Sequence, residues 1–179
     1  VLAVIPFAWP AISVSIGQPR TISVNVAGEV KNQGPVTVSA FTNAFNVIAL
    51  AGGPTNLANL REIQIKRNGK IIDVLDVYKY LTSGDFGKHI YLDNNDFVIL
   101  QSVDKKVKAE GKFKRPMFYQ LKKDEGMKAL LKYSGGLERD AFSSGVKIFR
   151  TELEKQVILD LNATAIINPT NDARLKSQD

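Results

Sequence analysis

The chain has 179 residues, 44% hydrophobic and 23% charged, which is ordinary for a soluble globular protein of one domain or two small ones. It has no cysteine and one histidine, His89, so disulfides, thiolate metal sites and a cysteine nucleophile are excluded, and a histidine-based metal site or catalytic triad is nearly excluded. No apolar run reaches the length that a membrane-spanning helix needs.

The formal net charge of +6 is concentrated in the C-terminal part of the chain. Residues 104–179 hold sixteen basic and eleven acidic residues, and residues 105–123 hold eight basic residues against one acid, Glu110. A basic patch attracts an anionic partner, for which nucleic acid, an anionic polysaccharide and anionic lipid headgroups qualify. Charged and apolar residues alternate over residues 106–110, so a solvated strand face is the other interpretation.

Residues 1–23 are predicted to hold an N-terminal strand and a connection. Residues 1–5 form an apolar run that Pro6 ends, and residues 12–16 alternate at the period of a half-buried strand. Two interpretations of residues 1–6 stay open. They are either the closing strand of a preceding unit or a plain N-terminal strand of the first domain.

Residues 24–103 are predicted to form a first domain with the element order β-β-α-β-β-β. Alternating apolar residues on both sides of Gly34-Pro35 predict a hairpin. Apolar residues at i, i+3, i+4 and i+7 over residues 44–51 predict a helix, with Thr42 as its N-cap and Gly52-Gly53 at its end.

The first domain is predicted to continue with a second hairpin and a closing strand. Ile63 and Ile65 alternate with polar residues up to Asn68-Gly69, a dipeptide that suits a two-residue turn, and residues 71–77 are the predicted partner strand. Residues 78–84 are predicted to form a short helical turn. A polar turn then precedes residues 97–100, a fully apolar strand.

Part of this domain occurs twice. Residues 24–67 match residues 107–150 without a gap at an offset of 83 residues, which places Gly28 opposite Gly111 (111 − 28 = 83). The glycine pairs that end the predicted helices have the same offset. We therefore predict a second domain of the same fold over residues 104–179.

The second domain is predicted to lack its last strand. The period continues to residues 175–179, which align with residues 92–96, and no counterpart of residues 97–100 follows. A buried closing strand stabilises a small domain substantially, so two interpretations stay open: either the chain has been cut, or the second domain borrows such a strand from elsewhere. A neighbouring molecule is one source, and residues 1–5 have a suitable composition.

Arg67 and Arg150 occupy equivalent positions at the ends of predicted strands. One interpretation is a ligand contact that both domains share. The other is pairing of each arginine with a nearby carboxylate, such as Asp73 or Glu152.

Several features taken together resemble the soluble-ligand-binding β-grasp module, abbreviated SLBB. In the first copy they are Val-x-Val-x-Gly-Glu-Val over residues 24–30, the helix ending at Gly52-Gly53, the strand ending at residues 66–69, residues 74–80, and Leu-Asp-x-x-Asp over residues 92–96 before an apolar strand. The second copy resembles another such module through residues 111–116, Tyr119, Gly135-Gly136 and Arg150. Tandem modules of this kind are typical of bacterial outer-membrane polysaccharide export proteins.

The resemblance implies an α+β fold with two tandem β-grasp (ubiquitin-like) domains, each a small mixed sheet with one main helix. It implies a non-enzymatic, periplasmic portion of a larger outer-membrane-associated protein that exports exopolysaccharide or capsule, without a cofactor, metal site or catalytic residue. The implied partners are anionic polysaccharide, inner-membrane export or assembly components and, in the full-length protein, further copies of itself, but not nucleic acid. The alternative is a monomeric β-grasp module that binds a small soluble ligand. The predicted ligand-binding residues are Lys112, Lys114, Arg115, Arg67 and Arg150.

Overall fold

The computed structural model describes residues 17, 20–84, 91–142, 145–152 and 155–161, and for residues 150–152 and 155–161 it describes the backbone alone. The predictions for residues 1–6, 12–16 and 175–179 lie outside this part of the chain. The elements in chain order are β1 (Thr21–Gly28), β2 (Gly34–Ser39), α1 (Ala44–Leu50), β3 (Ile63–Arg67), β4 (Lys70–Leu75), α2 (Val77–Ser83), β5 (Phe97–Leu100), β6 (Lys106–Lys108), β7 (Phe118–Gln120), α3 (Met127–Ser134), β8 (Val146–Glu152) and β9 (Lys155–Leu161).

The first five strands form one mixed sheet in the order β2-β1-β5-β3-β4. β5 lies in the centre, parallel to β1 and antiparallel to β3, while the two hairpins flank it. Helix α1 contacts β1 and β2. This is the strand order of a β-grasp fold, and the predicted α+β class is confirmed.

Alternation of apolar and polar residues explains why this sheet has one covered face. Val24 and Val26 on β1, Ile65 on β3 and Val98 on β5 are at most 1% exposed, and α1 buries Val47 against them. Each such side chain contributes roughly 1.5–3 kcal/mol when it is fully buried. The core of the first half therefore lies between the sheet and α1.

The turns predicted at Asn68-Gly69 and Gly52-Gly53 are confirmed, whereas Gly34-Pro35, predicted to lie between two strands, begins β2 and pairs with β1. Asn68 and Gly69 both have positive φ, 50° and 77°, as a two-residue turn between β3 and β4 requires. At the end of α1, the Gly53 N–H donates to the Ile48 carbonyl at 2.9 Å, and Gly52 and Gly53 both have φ of 84°.

Two element ends differ from their prediction because neighbouring residues cap the helices. Asn43, and not Thr42, is the N-cap of α1: its side-chain oxygen accepts from the Asn46 N–H at 2.8 Å. β4 ends at Leu75 because the Asp76 carboxylate caps α2, accepting from the N–H groups of Tyr78 and Lys79.

The second half repeats the backbone hydrogen bonds of the first at the offset of 83 residues. Val24 is opposite Val36 in β1–β2, and Val107 is opposite Tyr119 in β6–β7. The Lys31 N–H donates to the Gly53 carbonyl, and the Lys114 N–H donates to the Gly136 carbonyl, both at 3.0 Å. A second core packs α3 against β6, β7 and β8. The domain limits at residues 24–103 and 104–179 stay a prediction.

We expect substitution of Gly28 by alanine to destabilise the first sheet strongly. Gly28 has φ of 84°, and a Cβ atom there would lie 2.0 Å from the Leu100 carbonyl oxygen, which accepts from the Glu29 N–H. The matched control is Gly69→Ala, where φ is 77° and nothing lies within 4 Å. Positive φ alone costs about 1–2 kcal/mol for alanine, so the control should lose about that much and G28A clearly more. Urea unfolding measures both, and equal losses would contradict the close approach of β1 and β5.

Candidate functional site

The two halves meet around the buried side chain of Arg61, which lies in the segment between α1 and β3 and is 4% exposed. Its Nε donates to Asp76 Oδ1 at 2.9 Å and its Nη2 to Asp76 Oδ2 at 3.2 Å. Its Nη1 and Nη2 donate to the two carboxylate oxygens of Glu125, in the second half, at 2.7 and 2.8 Å. The Arg61 guanidinium therefore forms a bidentate contact with one carboxylate from each half.

Aromatic rings from the two halves cover the faces of this guanidinium. Its Cζ lies 4.6 Å from the ring centroid of Tyr78, on α2, and 4.9 Å from that of Tyr133, on α3. The two rings are edge-to-face with centroids 5.0 Å apart. A cation that has lost its water shell gains from such ring contacts.

Gln120 at the end of β7 completes the contact by linking backbone groups of both halves. Its side-chain oxygen accepts from the Leu60 N–H at 2.8 Å, and its Nε2 donates to the Ala58 carbonyl at 2.7 Å. Its own N–H donates to the Tyr78 hydroxyl at 3.0 Å. Polar groups that lose water at this contact are therefore paired with one another.

We call the residues of this contact the Arg61 cluster: Arg61, Asp76, Tyr78, Gln120, Glu125 and Tyr133. Contacts between its ionised groups stabilise their charged forms. Burial alone would lower the pKa of Arg61, but hydrogen bonds to Glu125 and Asp76 outweigh it and raise that pKa. Burial would raise the pKa of Asp76 and of Glu125, yet the hydrogen bonds from Arg61 hold both carboxyl pKa values below their ordinary range. Burial, with the hydrogen bond to Glu125, raises the pKa of Tyr133 to about 12.

A groove of about 470 Å³ lies beside this cluster, between α2 and the surface of β7 and α3. We call it the inter-unit groove. Aromatic, apolar and cationic side chains line it, and no acidic residue is among the described residues of its wall. The residues that the argument uses are Tyr78, Tyr119, Tyr133, Met117, Arg115 and Lys132.

The cations of the inter-unit groove sit near the C-terminal end of α3. Arg115 is exposed, and its Nε donates to the Ser134 carbonyl at 3.4 Å. Lys132, also exposed, lies in the last turn of the same helix. The Tyr119 hydroxyl donates to the Arg115 carbonyl at 2.7 Å and so ties the arginine backbone to β7. The groove therefore offers two positive charges beside aromatic surface.

Of the four predicted ligand-binding residues whose side chains the structure describes, Arg115 alone lines the inter-unit groove. Lys112 forms exposed ion pairs with Asp140 and Glu138, and hydrogen bonds to these two carboxylates raise its pKa. Lys114 is exposed and is not among the residues that line the groove. Their role as ligand contacts stays a prediction.

Arg67 pairs with a carboxylate, as the second interpretation proposed, but the partner is Asp96 and not Asp73. Arg67 Nε and Nη2 donate to the two oxygens of the fully buried Asp96 at 2.8 and 2.7 Å, and this pairing raises the pKa of Arg67. The side chain of Arg150 lies outside the described part of the structure.

The basic run at residues 105–123 is divided between the core, ion pairs and the surface. Lys105 is 8% exposed and donates to the Lys122 and Glu125 carbonyls. Lys122 pairs with Asp76 at 3.0 Å, and Lys108 pairs with Glu110. Much of this run therefore stabilises the second half and its contact with the first.

Sequence reasoning missed Arg61, Glu125, Tyr78, Tyr133 and Gln120 as a cluster. The other four residues lie 17 to 72 positions after Arg61 in the chain (78 − 61 = 17, 133 − 61 = 72). The residue at the repeat position of Arg61 is Ser144. The one available signal was a charged residue shortly before the alternating strand β3, which is too common to indicate burial.

A family comparison relates part of the first half to a family of binding domains. Residues 23–75 match the family model of the SLBB domain. The matched range begins within β1, ends with β4 and includes α1, so the likeness to this family of binding domains covers the first half up to the end of β4. A comparison with curated proteins finds no match.

In the described ranges, no helix combines the length and hydrophobicity needed to cross a membrane. Within the same ranges, no group of three or more histidine, cysteine, aspartate or glutamate residues is placed to hold a metal ion.

We expect Arg61→Met to lower the free energy of unfolding by about 3–5 kcal/mol, because the largely buried Glu125 would lose its cation and Asp76 would keep only Lys122. The matched control is Arg20→Met, whose ion pair with Asp93 is exposed and should contribute no more than about 1 kcal/mol. Guanidinium unfolding measures both variants. Equal unfolding midpoints for R61M and R20M would contradict the proposed contribution of Arg61 to stability.

The same cluster predicts a loss of stability in acid. The pKa values of Asp76 and Glu125 are lower in the folded chain than in the unfolded chain, so the unfolded chain binds more protons in the acid range. Their contribution should be present in full above about pH 5 and should fall as the pH drops through about 4 and below. Glu125→Gln should make the dependence shallower, whereas Asp140→Asn, at an exposed ion pair, should leave it nearly unchanged. The measurement is the free energy of unfolding as a function of pH. Parallel curves for E125Q and the wild type would refute the assignment of this pH dependence to Glu125.

Proposed function

We propose that this chain is a non-enzymatic, saccharide-binding portion of a periplasmic polysaccharide export protein, and that the inter-unit groove binds an acidic segment of the polymer. The observation that carries this proposal is a groove with two cations and three tyrosines beside an SLBB domain. Each component of the site supports a different property of the ligand.

The charge of the groove supports an anionic ligand. Arg115 and Lys132 are exposed, and no described residue in the groove wall is acidic. An arginine fork matches the geometry of a carboxylate or phosphate, and a lysine adds a mobile positive charge. Uronic acids and phosphorylated sugars carry such groups.

The aromatic surface supports a ligand with flat, partly apolar faces. Tyr78, Tyr119 and Tyr133 have hydroxyls that are hydrogen-bonded within the protein, so their rings are held in position. Exposed Met117, 54% accessible, adds an adaptable apolar surface. Sugar rings have apolar faces and polar edges, which suit a wall of this composition.

The tandem arrangement supports a structural role in a larger assembly. We propose that residues 104–179 form a second SLBB-like module, since their backbone hydrogen bonds repeat those of the first half. In the full-length protein, copies would assemble head-to-tail into a closed ring, and inner-membrane export or assembly components would be further partners. The periplasmic location belongs to the same proposal and follows from the resemblance.

The size of the inter-unit groove favours one alternative, a small soluble ligand bound by a monomer. A volume of about 470 Å³ lies within the range of small-molecule pockets. A monosaccharide acid that binds as tightly as an oligosaccharide would favour this alternative.

Titration calorimetry with a uronic acid tetrasaccharide tests the proposal. The double variant Arg115→Gln/Lys132→Gln should bind about tenfold more weakly or worse, since charged hydrogen bonds contribute about 1.5–3 kcal/mol each. Lys31→Gln/Lys70→Gln is the matched control, because it removes the same charge from exposed positions that are not in the groove wall.

Two further comparisons sharpen the test. Binding of the wild type should weaken at high salt, because the contact is electrostatic, and a neutral tetrasaccharide of equal length should bind more weakly. Equal affinities for the two double variants would exclude the groove as the site. Stronger binding of the neutral tetrasaccharide would exclude an acidic ligand.

A further inference from the structure

The two halves of the chain have separate apolar cores. In the described ranges, the buried members of the first core lie within residues 22–100, and those of the second core lie within residues 107–148. Tyr78 is the one first-half side chain, among those that the structure describes, that packs against the second core. Each half therefore has its own hydrophobic stabilisation, and little of that stabilisation is shared across the contact.

The contact between the halves is largely polar. Arg61 donates two hydrogen bonds to Glu125 and a third to the Gln120 carbonyl at 2.9 Å. In the opposite direction, Lys122 Nζ of the second half lies 3.0 Å from Asp76 Oδ2 of the first. Domains move relative to one another unless the interface between them is large and hydrophobic. Two carboxylates, one from each half, receive the charged hydrogen bonds of this contact.

Asp76 is the acceptor that belongs to the first half. The Arg61 guanidinium and the Lys122 ammonium face its carboxylate, and the N–H groups of Tyr78 and Lys79 donate to its Oδ1. Burial alone would raise the pKa of the Asp76 carboxyl, but these contacts hold that pKa below its ordinary range. Separation from Lys122 would therefore make Asp76 easier to protonate.

Glu125 is the acceptor that belongs to the second half. Arg61 and the Tyr133 hydroxyl donate to its carboxylate, which also accepts from the Lys122 N–H at 2.9 Å, while Lys105 Nζ donates to its main-chain carbonyl. Burial would raise the pKa of the Glu125 carboxyl, and the hydrogen bond from Arg61 outweighs it. A protonated Glu125 would lose the charge that attracts the cation of the other half.

The main chain between the halves changes its partners at Asp104. The Val103 N–H donates to the Leu57 carbonyl at 2.8 Å, which ties Val103 to the first half. The Lys105 carbonyl accepts from the Leu121 N–H at 3.1 Å, which ties Lys105 to the second half. Asp104 is exposed and lies at a bend between them. A hinge needs only a few such residues to absorb the change in φ and ψ.

We propose that the Arg61 cluster holds the two halves together at neutral pH and releases them in acid. When its two carboxylates are protonated, the second half turns about residue 104 while both halves keep their own folds. This movement separates the walls of the inter-unit groove, because Tyr78 belongs to the first half and Tyr133 to the second. The groove is therefore closed at neutral pH and opened in acid, and the movement requires no bound saccharide.

The direction of the pH dependence follows from the two carboxylates. Their pKa values are lower in the closed arrangement than after separation, so the open arrangement binds more protons in the acid range. The closed arrangement should dominate above about pH 5 and lose population as the pH falls through about 4 and below. Burial and the hydrogen bond to Glu125 raise the pKa of Tyr133 to about 12, so its hydroxyl does not titrate in this range.

Distances between two spin labels test the movement, and the chain has no cysteine of its own to interfere with labelling. One label is placed at Lys70→Cys in the first half and the other at Arg139→Cys in the second half, both at exposed positions. We expect one narrow distance distribution at pH 7 and a second, broader population at about pH 3.5. Lys31→Cys/Lys70→Cys, a pair within the first half, is the matched control and should stay narrow at both pH values.

A variant of the second-half carboxylate tests which group releases the contact. Glu125→Gln keeps the shape of the side chain but removes its charge, so at pH 7 it should raise the ratio of open to closed K70C/R139C about tenfold or more. Asp140→Asn, at an exposed ion pair with Lys112, should leave that ratio unchanged.

Hydrogen exchange of single amides gives a second readout that needs no label. The N–H groups of Leu60 and Gln120 donate across the contact, whereas those of Gly53 and Leu121 donate within one half. In E125Q the first two should exchange about tenfold faster than in the wild type, and the other two should exchange at the same rate. Equal acceleration of all four would indicate unfolding and would contradict separation of folded halves.

The label distances can overturn the proposal in three ways. If both label pairs broaden together in acid, the halves unfold and do not separate. If the K70C/R139C distribution is unchanged in acid, or already broad at pH 7, the Arg61 cluster does not control the arrangement. If acid opens the chain but E125Q and D140N have the same open fraction at pH 7, Glu125 does not hold the halves together.

Discussion

The arrangement of the two halves depends on one buried cation. Arg61 lies between a carboxylate of its own half and one of the other, and removing such ions from water costs several kcal/mol each. That cost is offset only when Asp76 and Glu125 both stand at hydrogen-bond distance. A shifted or rotated second half would leave a buried charge unpaired. The cluster therefore selects one relative position of the halves, whatever net stability it adds.

The same constraint determines the shape of the inter-unit groove. Tyr78 and Tyr133 cover Arg61 with their faces, and the hydroxyl of Tyr133 donates to Glu125 at 2.7 Å. These rings also form part of the groove wall. A ligand in the groove would thus meet aromatic surfaces that the contact between the halves has already fixed, which reduces the entropy lost on binding.

Local patterns predicted the fold well because they act over short distances in the chain. Alternation identified β1, β3 and β5, and Asn68-Gly69 identified a turn whose φ values only such residues adopt readily. The candidate site depends on contacts between residues 59 to 72 positions apart, such as Arg61 with Gln120 and Tyr133, and no local pattern encodes them. Arg115 was found because it belongs to a dense basic run. Arg67 was singled out because Arg150 occupies the equivalent position in the repeat. Its partner Asp96 could not be predicted without knowing the path of the turn before β5.

The two repeated units contact each other through different surfaces. The same contact could therefore not recur between the first half and a unit before it. Residues 83 positions before Gln120, Glu125 and Tyr133 are Thr37, Thr42 and Leu50. The first half therefore lacks the carboxylate and the aromatic ring that would receive an arginine from a preceding unit. Leu50 is 64% exposed at the place where Tyr133 covers Arg61. A unit before the first would need a different contact, and an assembly of many copies would have to use other surfaces.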